Sequence, residues 1–231
     1  MVTRIEVATK STFKDAQGLK ILKKIQQHLG IKAKDVRLIK VYLIEGNFSE
    51  ELLKEFASSA LCDSVIQNFS LNSHIAKELS IPFDWLIEVG FLPGVTDNEG
   101  KTAEEALSYV LSRPLDPLKE GVYFARQYLI SGNLTRKEVE RIAKELLANE
   151  LIERWFILSR EEFLKEGLSY PVPRVTEKFP PVVETFDLSK LSDKELIELS
   201  RRRLLALNLK EMQAIKEFFS NPEFIALRKK H

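Results

Sequence analysis

Apolar residues fall at two spacings over the first 160 positions, and each spacing occurs twice. Ile5 and Val7, and later Ile87, Val89 and Phe91, alternate with polar neighbours at the period of a half-buried strand. Leu19, Leu22, Ile25 and Leu29 follow the first run, and Ala103, Ala106, Leu107 and Val110 the second, at the spacing of a helix that buries one face. Asp15 and Asp97 head these helices, where a carboxylate can accept from free backbone N–H groups. A second helix carries Leu53, Phe56, Ala57, Ala60 and Leu61 in the first half, and Val139, Ile142, Ala143, Leu146 and Leu147 in the second. Ser49 opens it in one half, and Thr135 with Glu138, a capping box, in the other. Between the helices lies a strand with Val36, Leu38, Tyr42 and Ile44 on one face and Ile39, Val41 and Leu43 on the other. A strand apolar on both faces must be covered on both.

The recurrence is an internal repeat. Residues 5–18 align without gaps on 87–100, with Ile5-Glu6-Val7 matching Ile87-Glu88-Val89, Asp15 matching Asp97 and Gly18 matching Gly100. Residues 36–71 align on 122–157 with nine identities in 36: Val36, Tyr42, Leu43, Ile44, Gly46, Asn47, Ala57, Leu61 and Ile66 recur. Chance would give roughly two, so the match reads as a duplication. The offset changes near the proline-rich loop at 112–117, where an insertion is tolerated. The expected fold is α+β: tandem repeats over 1–80 and 81–160, each strand-helix-strand-helix-strand. Two helices cover one sheet face, so the second copy is expected to cover the other, the units joining through their sheets as a pseudo-dimer.

The last third, 161–231, reads differently. Residues 170–187 contain Pro171, Pro173, Pro180 and Pro181 among Val172, Val175, Phe179, Val182, Val183 and Phe186. Such a segment is extended, and too apolar for a free linker, so it reads as a strap lying on a protein surface. Helices follow, announced by Ser192 with Glu195 and Asn208 with Glu211. Leu196, Leu199 and Leu204 line one, and Met212, Ile215, Phe218 and Phe219 the next, before a short helical start at Asn221-Pro222-Glu223. So small a helical region is expected to dock on a larger body.

Composition narrows the chemistry. The 231 residues include 35 basic and 34 acidic side chains, a net charge of +1, which argues against a strongly basic nucleic-acid binder. An RNP aromatic pattern and a basic stripe are both missing from the sequence reading. No apolar run reaches 18 residues, and MVTRIEVATK lacks the apolar core of a signal peptide. Cys62 is the single cysteine, so no internal disulfide forms and a reducing cytoplasm is the expected setting. His28, His74 and His231 have no metal-site spacing, and no phosphate-binding glycine loop occurs. Neither His28 nor His74 has a partner visible in sequence. Cys62 reads as a core thiol without basic neighbours, and Trp85 and Trp155 as packing residues.

The repeat resembles the PurS-type subunit of phosphoribosylformylglycinamidine synthase. The resemblance rests on DAQG (15–18) opening the first helix and on LLANELIERW (146–155) closing the second. FLPGVTDNEGKTAEEA (91–106) is similar to the matching stretch of synthases in which this module is doubled, and residues 187–219 are similar to the helical linker that precedes their catalytic domain. The resemblance implies a non-catalytic part of an ATP- and glutamine-dependent ligase of purine synthesis, one that holds synthetase (PurL-type) and glutaminase (PurQ-type) parts together so that ammonia can pass. It also implies that ATP and Mg²⁺ belong to the catalytic partner, with no cofactor in this chain. The chain stops at His231, where the catalytic portion would follow, as a stand-alone subunit or as a piece of a longer protein.

Candidate partner-contact residues are Pro93, Gly94, Thr96, Asp97 and Asn98 in the turn before the second copy's first helix, Lys40 and Arg126 at one aligned strand position, and Arg201 and Arg202 near a helix end. Each has an ordinary reading as well: a strand-to-helix turn, snorkelling cations and a solvated helix face. No catalytic or metal residue is expected, and nucleic acid and membrane are not expected as partners; self-association stays open. The competing function is a regulatory module that senses a small anion or nucleotide at the repeat interfaces.

Overall fold

Alternation and helical spacing both become structure, in the order read from the sequence. The computed structural model describes residues 1–166, 172–175 and 184–222. The first half runs β1 (Val2–Thr9), α1 (Ala16–Leu29), β2 (Asp35–Glu45), α2 (Glu50–Phe56), β3 (Gln67–Leu71) and a short α3 (Ile75–Glu78). The second runs β4 (Trp85–Phe91), α4 (Asn98–Leu111), β5 (Gly121–Ser131), α5 (Arg136–Ile142), β6 (Glu153–Ser159) and α6 (Arg160–Glu166). Both α2 and α5 widen at their ends into a π-helical turn, at Ala57–Leu61 and Ala143–Leu147. There Cys62 N–H bonds the Ala57 carbonyl and Ala148 N–H that of Ala143, each at 2.9 Å. The wider turn slips the helical phase, so Ala60, expected on the buried stripe, faces solvent.

The six strands form one antiparallel sheet in the order β3-β1-β2-β5-β4-β6. β2 and β5 pair along their whole length: Val36 lies opposite Ile130, Lys40 opposite Arg126 and Ile44 opposite Val122. The halves are therefore joined edge to edge by backbone hydrogen bonds. The expectation that the second copy would cover the open sheet face is corrected here. That face is closed by α3, the loop from α3 to β4, and α6, with Ile75, Ala76, Phe83 and Phe163 packed over Ile39, Val41, Leu43, Leu86, Ala125 and Leu129. Since α6 seats Phe163 in this core, it belongs with the sheet and not, as expected from residue 161 onward, with the C-terminal region.

The other face carries α1, α2, α4 and α5 over two apolar clusters, and each cluster draws on both halves. One joins Ile25 and Val36 to Ile87, Tyr128, Val139 and Ile142. The other joins Ile5, Tyr42, Leu53 and Phe56 to Leu107, Val122 and Phe124. At about 1.5–3 kcal/mol per buried large side chain, these shared clusters couple the stability of the two halves. From the strap, residues 172–175 form neither strand nor helix, with Arg174 N–H on the Val172 carbonyl at 2.8 Å, and they are held to the sheet unit: Arg174 pairs with Glu45 at 3.0 Å and donates to the Leu118 carbonyl. Residues 170–171 and 176–183 of that strap lie outside the described residues.

A second compact unit spans Glu177–His231. A short 3₁₀ turn, Leu188–Lys190, precedes α7 (Asp193–Arg202) and α8 (Leu209–Ser220). Ser192 with Glu195 and Asn208 with Glu211 form the expected capping boxes. Leu196, Leu199 and Met212 make a small core. Leu204, expected on the α7 stripe, lies beyond the helix end with φ 54° and is 90 % exposed. Position 222 is the last described, so most of the expected third helix falls outside the described residues.

Candidate functional site

The DxxG sequences at 15–18 and 97–100 are the best-defined local constructions. Asp15 accepts from Gly18 N–H at 2.9 Å with one carboxylate oxygen and from Leu38 N–H at 2.7 Å with the other. Asp97 does the same with Gly100 N–H at 2.8 Å and Phe124 N–H at 2.6 Å. One side chain thus caps a helix and ties it to the middle strand of its own half. Burial pushes the Asp97 carboxyl above its ordinary value, against the two N–H donors that pull it down. The glycines are required by approach: a Cβ on Gly18 would collide with the Val36 carbonyl, and one on Gly100 would sit 2.8 Å from that of Val122.

Of the predicted contact residues, Pro93, Gly94, Thr96 and Asn98 are exposed, and Asp97 is half-buried in its cap. Gly94 has φ 84° in a turn closed by Val95 N–H to the Leu92 carbonyl, a backbone that glycine adopts without strain. Lys40 and Arg126 face each other across β2 and β5. Like charges directly opposed disfavour the sheet, and each cation turns to a carboxylate: Lys40 lies 4.0 Å from Glu99, in the first turn of α4, and Arg126 bonds Glu153. The structure therefore gathers Lys40, Arg126 and the 97–99 segment on the helix-covered side of the β2/β5 seam. Burial pushes the neighbouring Tyr42 hydroxyl up to about 12, with Glu99 and Asp97 adding to it, and raises Tyr128 as well. Arg201 and Arg202 are exposed on α7, in the other unit.

A buried polar cluster escaped the sequence reading. On the sheet face under α3 and α6, Arg4 donates from Nε to Glu6 at 2.6 Å and from its two Nη atoms to Glu88 at 3.0 and 2.5 Å. Glu6 also contacts His74 Nδ1 at 2.9 Å and accepts from Ile75 N–H at 2.8 Å, seating α3. His74, which had no partner in the sequence reading, has one here. Gln127 donates to Glu88 at 2.8 Å, while its own Oε1 is a buried acceptor without a partner. Burial alone would raise the Glu6 carboxyl; His74 and Arg4 outweigh it and hold the group below its ordinary value. The two carboxylates hold the Arg4 guanidinium protonated in spite of its burial. The available signal was the match of Glu6 with Glu88 in the internal alignment; it read as an alternation residue because the arginine that reaches both lies 84 positions from one of them.

This cluster consists of mutually satisfied charges, with no nucleophile beside a base. Cys62 is half-buried, and burial pushes its thiol up; Lys10 is near enough to oppose that, which corrects the expectation of no basic neighbour. Trp85 and Trp155 pack on the helix-side core as expected, and Trp85 Nε1 donates to the Leu134 carbonyl. Among the described residues no three His, Cys, Asp or Glu side chains converge on a metal position, and no helix is long and apolar enough to cross a membrane.

The fold defines a class: an α+β module whose six-stranded antiparallel sheet carries its longer helices on one side. Residues 2–74, spanning β1 to β3, match the family model described as PurS: phosphoribosylformylglycinamidine (FGAM) synthase. The N-terminal region is PurS-like. No curated protein matches the chain at a significant level.

Proposed function

We propose that residues 1–80 and 81–160 are two PurS-like repeats fused as a pseudo-dimer, and that the chain is a non-catalytic structural part of FGAM synthase in purine synthesis. In this reading it holds a PurL-type synthetase and a PurQ-type glutaminase together in the cytoplasm for ammonia transfer, with ATP and Mg²⁺ bound by the catalytic partner. The observation that carries it is the register of the seam. Internal alignment equates Val36 with Val122 and Ile44 with Ile130, and Val36 lies opposite Ile130 while Ile44 lies opposite Val122. Lys40 lies opposite its own counterpart, Arg126. This is the self-complementary arrangement of a twofold interface, and the PurS-like match of residues 2–74 supports the identity of the unit.

The test is reconstitution. Added to purified PurL-type and PurQ-type subunits, the chain should restore glutamine-dependent turnover and leave ammonia-dependent turnover unchanged. Turnover by the chain alone with ATP, or no effect on the mixture, would refute the reading. Calorimetry with purine nucleotides and glutamine separates it from the sensing alternative, which requires tight binding by the isolated chain.

A further inference from the structure

Helices α1 and α4 hold equivalent places, each capped by its aspartate and seated by its glycine on a middle strand. Their outer faces differ. On α1 the buried side passes through Gly18 and Ile25, and Lys20, Lys23, Lys24 and Gln27 occupy the opposite, exposed side. Lys14 precedes the helix, and Lys32 and Lys34 follow it, all exposed. Residues 10–34 hold seven lysines and one acid, Asp15, which is used as the cap. On α4 the equivalent positions hold Thr102, Glu105 and Ala106, and the nearby Lys101 is tied to Glu104. The basic stripe missing from the linear reading is thus assembled by the turn of a helix.

On α2 and α5 four cations have a carboxylate close by: Lys54 has Glu50, Arg136 has Glu140, Arg141 has Glu145 and Lys144 has Glu150. Among the described residues Lys20, Lys23 and Lys24 have no ion pair. Like charges at i, i+3 and i, i+4 repel, and α1 itself contains no acid to offset them. An arrangement that costs the isolated chain stability is explained by a partner that neutralises it. We propose that the lysine face of α1 is a docking surface for a carboxylate-rich protein surface, which, on the scaffold reading above, belongs to the PurL-type synthetase. Nucleic acid is the poorer fit, because the stripe holds neither arginine nor an aromatic ring for base stacking and the whole chain is nearly neutral.

The experiment uses the full chain, wild type and K20Q/K23Q/K24Q, with the charge-reversed K20E/K23E/K24E as a second variant; all three residue types suit a helix equally well. Association with purified PurL-type synthetase is followed at rising salt. The wild type should associate with a steep salt dependence. The glutamine variant should associate about tenfold more slowly at low salt with little change in dissociation, the signature of lost electrostatic steering, and the reversed variant more slowly still. Equal rates and equal salt slopes for all three would overturn the docking surface while leaving the scaffold reading intact. Failure of the wild type to associate would refute both. Tight, lysine-dependent binding to RNA at physiological salt, or lysine-dependent self-association, would assign the face to another occupant and overturn the proposal.

Discussion

The two halves of the sheet unit agree wherever backbone geometry dictates the residue and part company wherever charge is free to vary. Asp15 and Asp97 make the same pair of backbone hydrogen bonds, and Gly18 and Gly100 sit against the same strand carbonyl. Arg4, by contrast, aligns with Leu86, and Lys20, Lys23 and Lys24 of α1 with Thr102, Glu105 and Ala106 of α4. A symmetric pair would place two arginines beside two glutamates; here one guanidinium from the first half serves Glu6 of its own half and Glu88 of the other. On the pseudo-dimer reading proposed above, fusion removes the need for the halves to be identical, and the polar face fits that freedom.

The largest expected effect comes from breaking the shared charge. Arg4→Met leaves two buried carboxylates without their cation and should cost about 3–5 kcal/mol by urea unfolding at neutral pH. Adding Glu88→Gln should recover part of that loss. A cost below about 1 kcal/mol would show that the cluster does not join the halves. Glu6 has a sign that can be checked. Its folded pKa is lowered from 4.5, so its contribution is complete above that value and is lost as pH falls below it towards the folded value. Glu6→Gln should flatten stability across that acidic window.

Next in size are the equivalent glycines. Gly18→Ala and Gly100→Ala should each cost about 1–3 kcal/mol, from forced displacement of helix from strand, with Gly18 the more sensitive because its carbonyl neighbour lies closer. Asp15→Ala and Asp97→Ala should each cost about 1–2 kcal/mol, and comparable losses at both would confirm that the caps are equivalent. The smallest effect has the opposite sign. K20Q/K23Q/K24Q should stabilise the isolated chain at low salt by a few tenths of a kcal/mol, whereas Lys101→Gln on α4, which removes a pair with Glu104, should not.

The succession of elements along each half, the helix caps and the two-faced middle strand were all legible in the sequence, because period, capping residues and alternation are local. What covers each face was not. Alternation at Ile39, Val41 and Leu43 says that this side is buried, but the cover comes from a four-residue helix and from Phe163, both too short in pattern to announce a layer. Polar positions in an alternating strand read as solvent-facing, which hid Arg4, Glu6 and Glu88; only the pairing of strands about 80 residues apart turns them inward together. Of the candidate contact residues, Asp97 and the Lys40–Arg126 pair come to one region through the seam, an association that nothing local in the chain encodes.

The claim on which the account depends is that neither half has a core of its own. Native-state hydrogen exchange on the full chain tests it most directly. Amides of β1 and β2 should open with the same free energy as those of β4 and β5, in a single cooperative step. Exchange of one half's strands while the other half stays protected would contradict it.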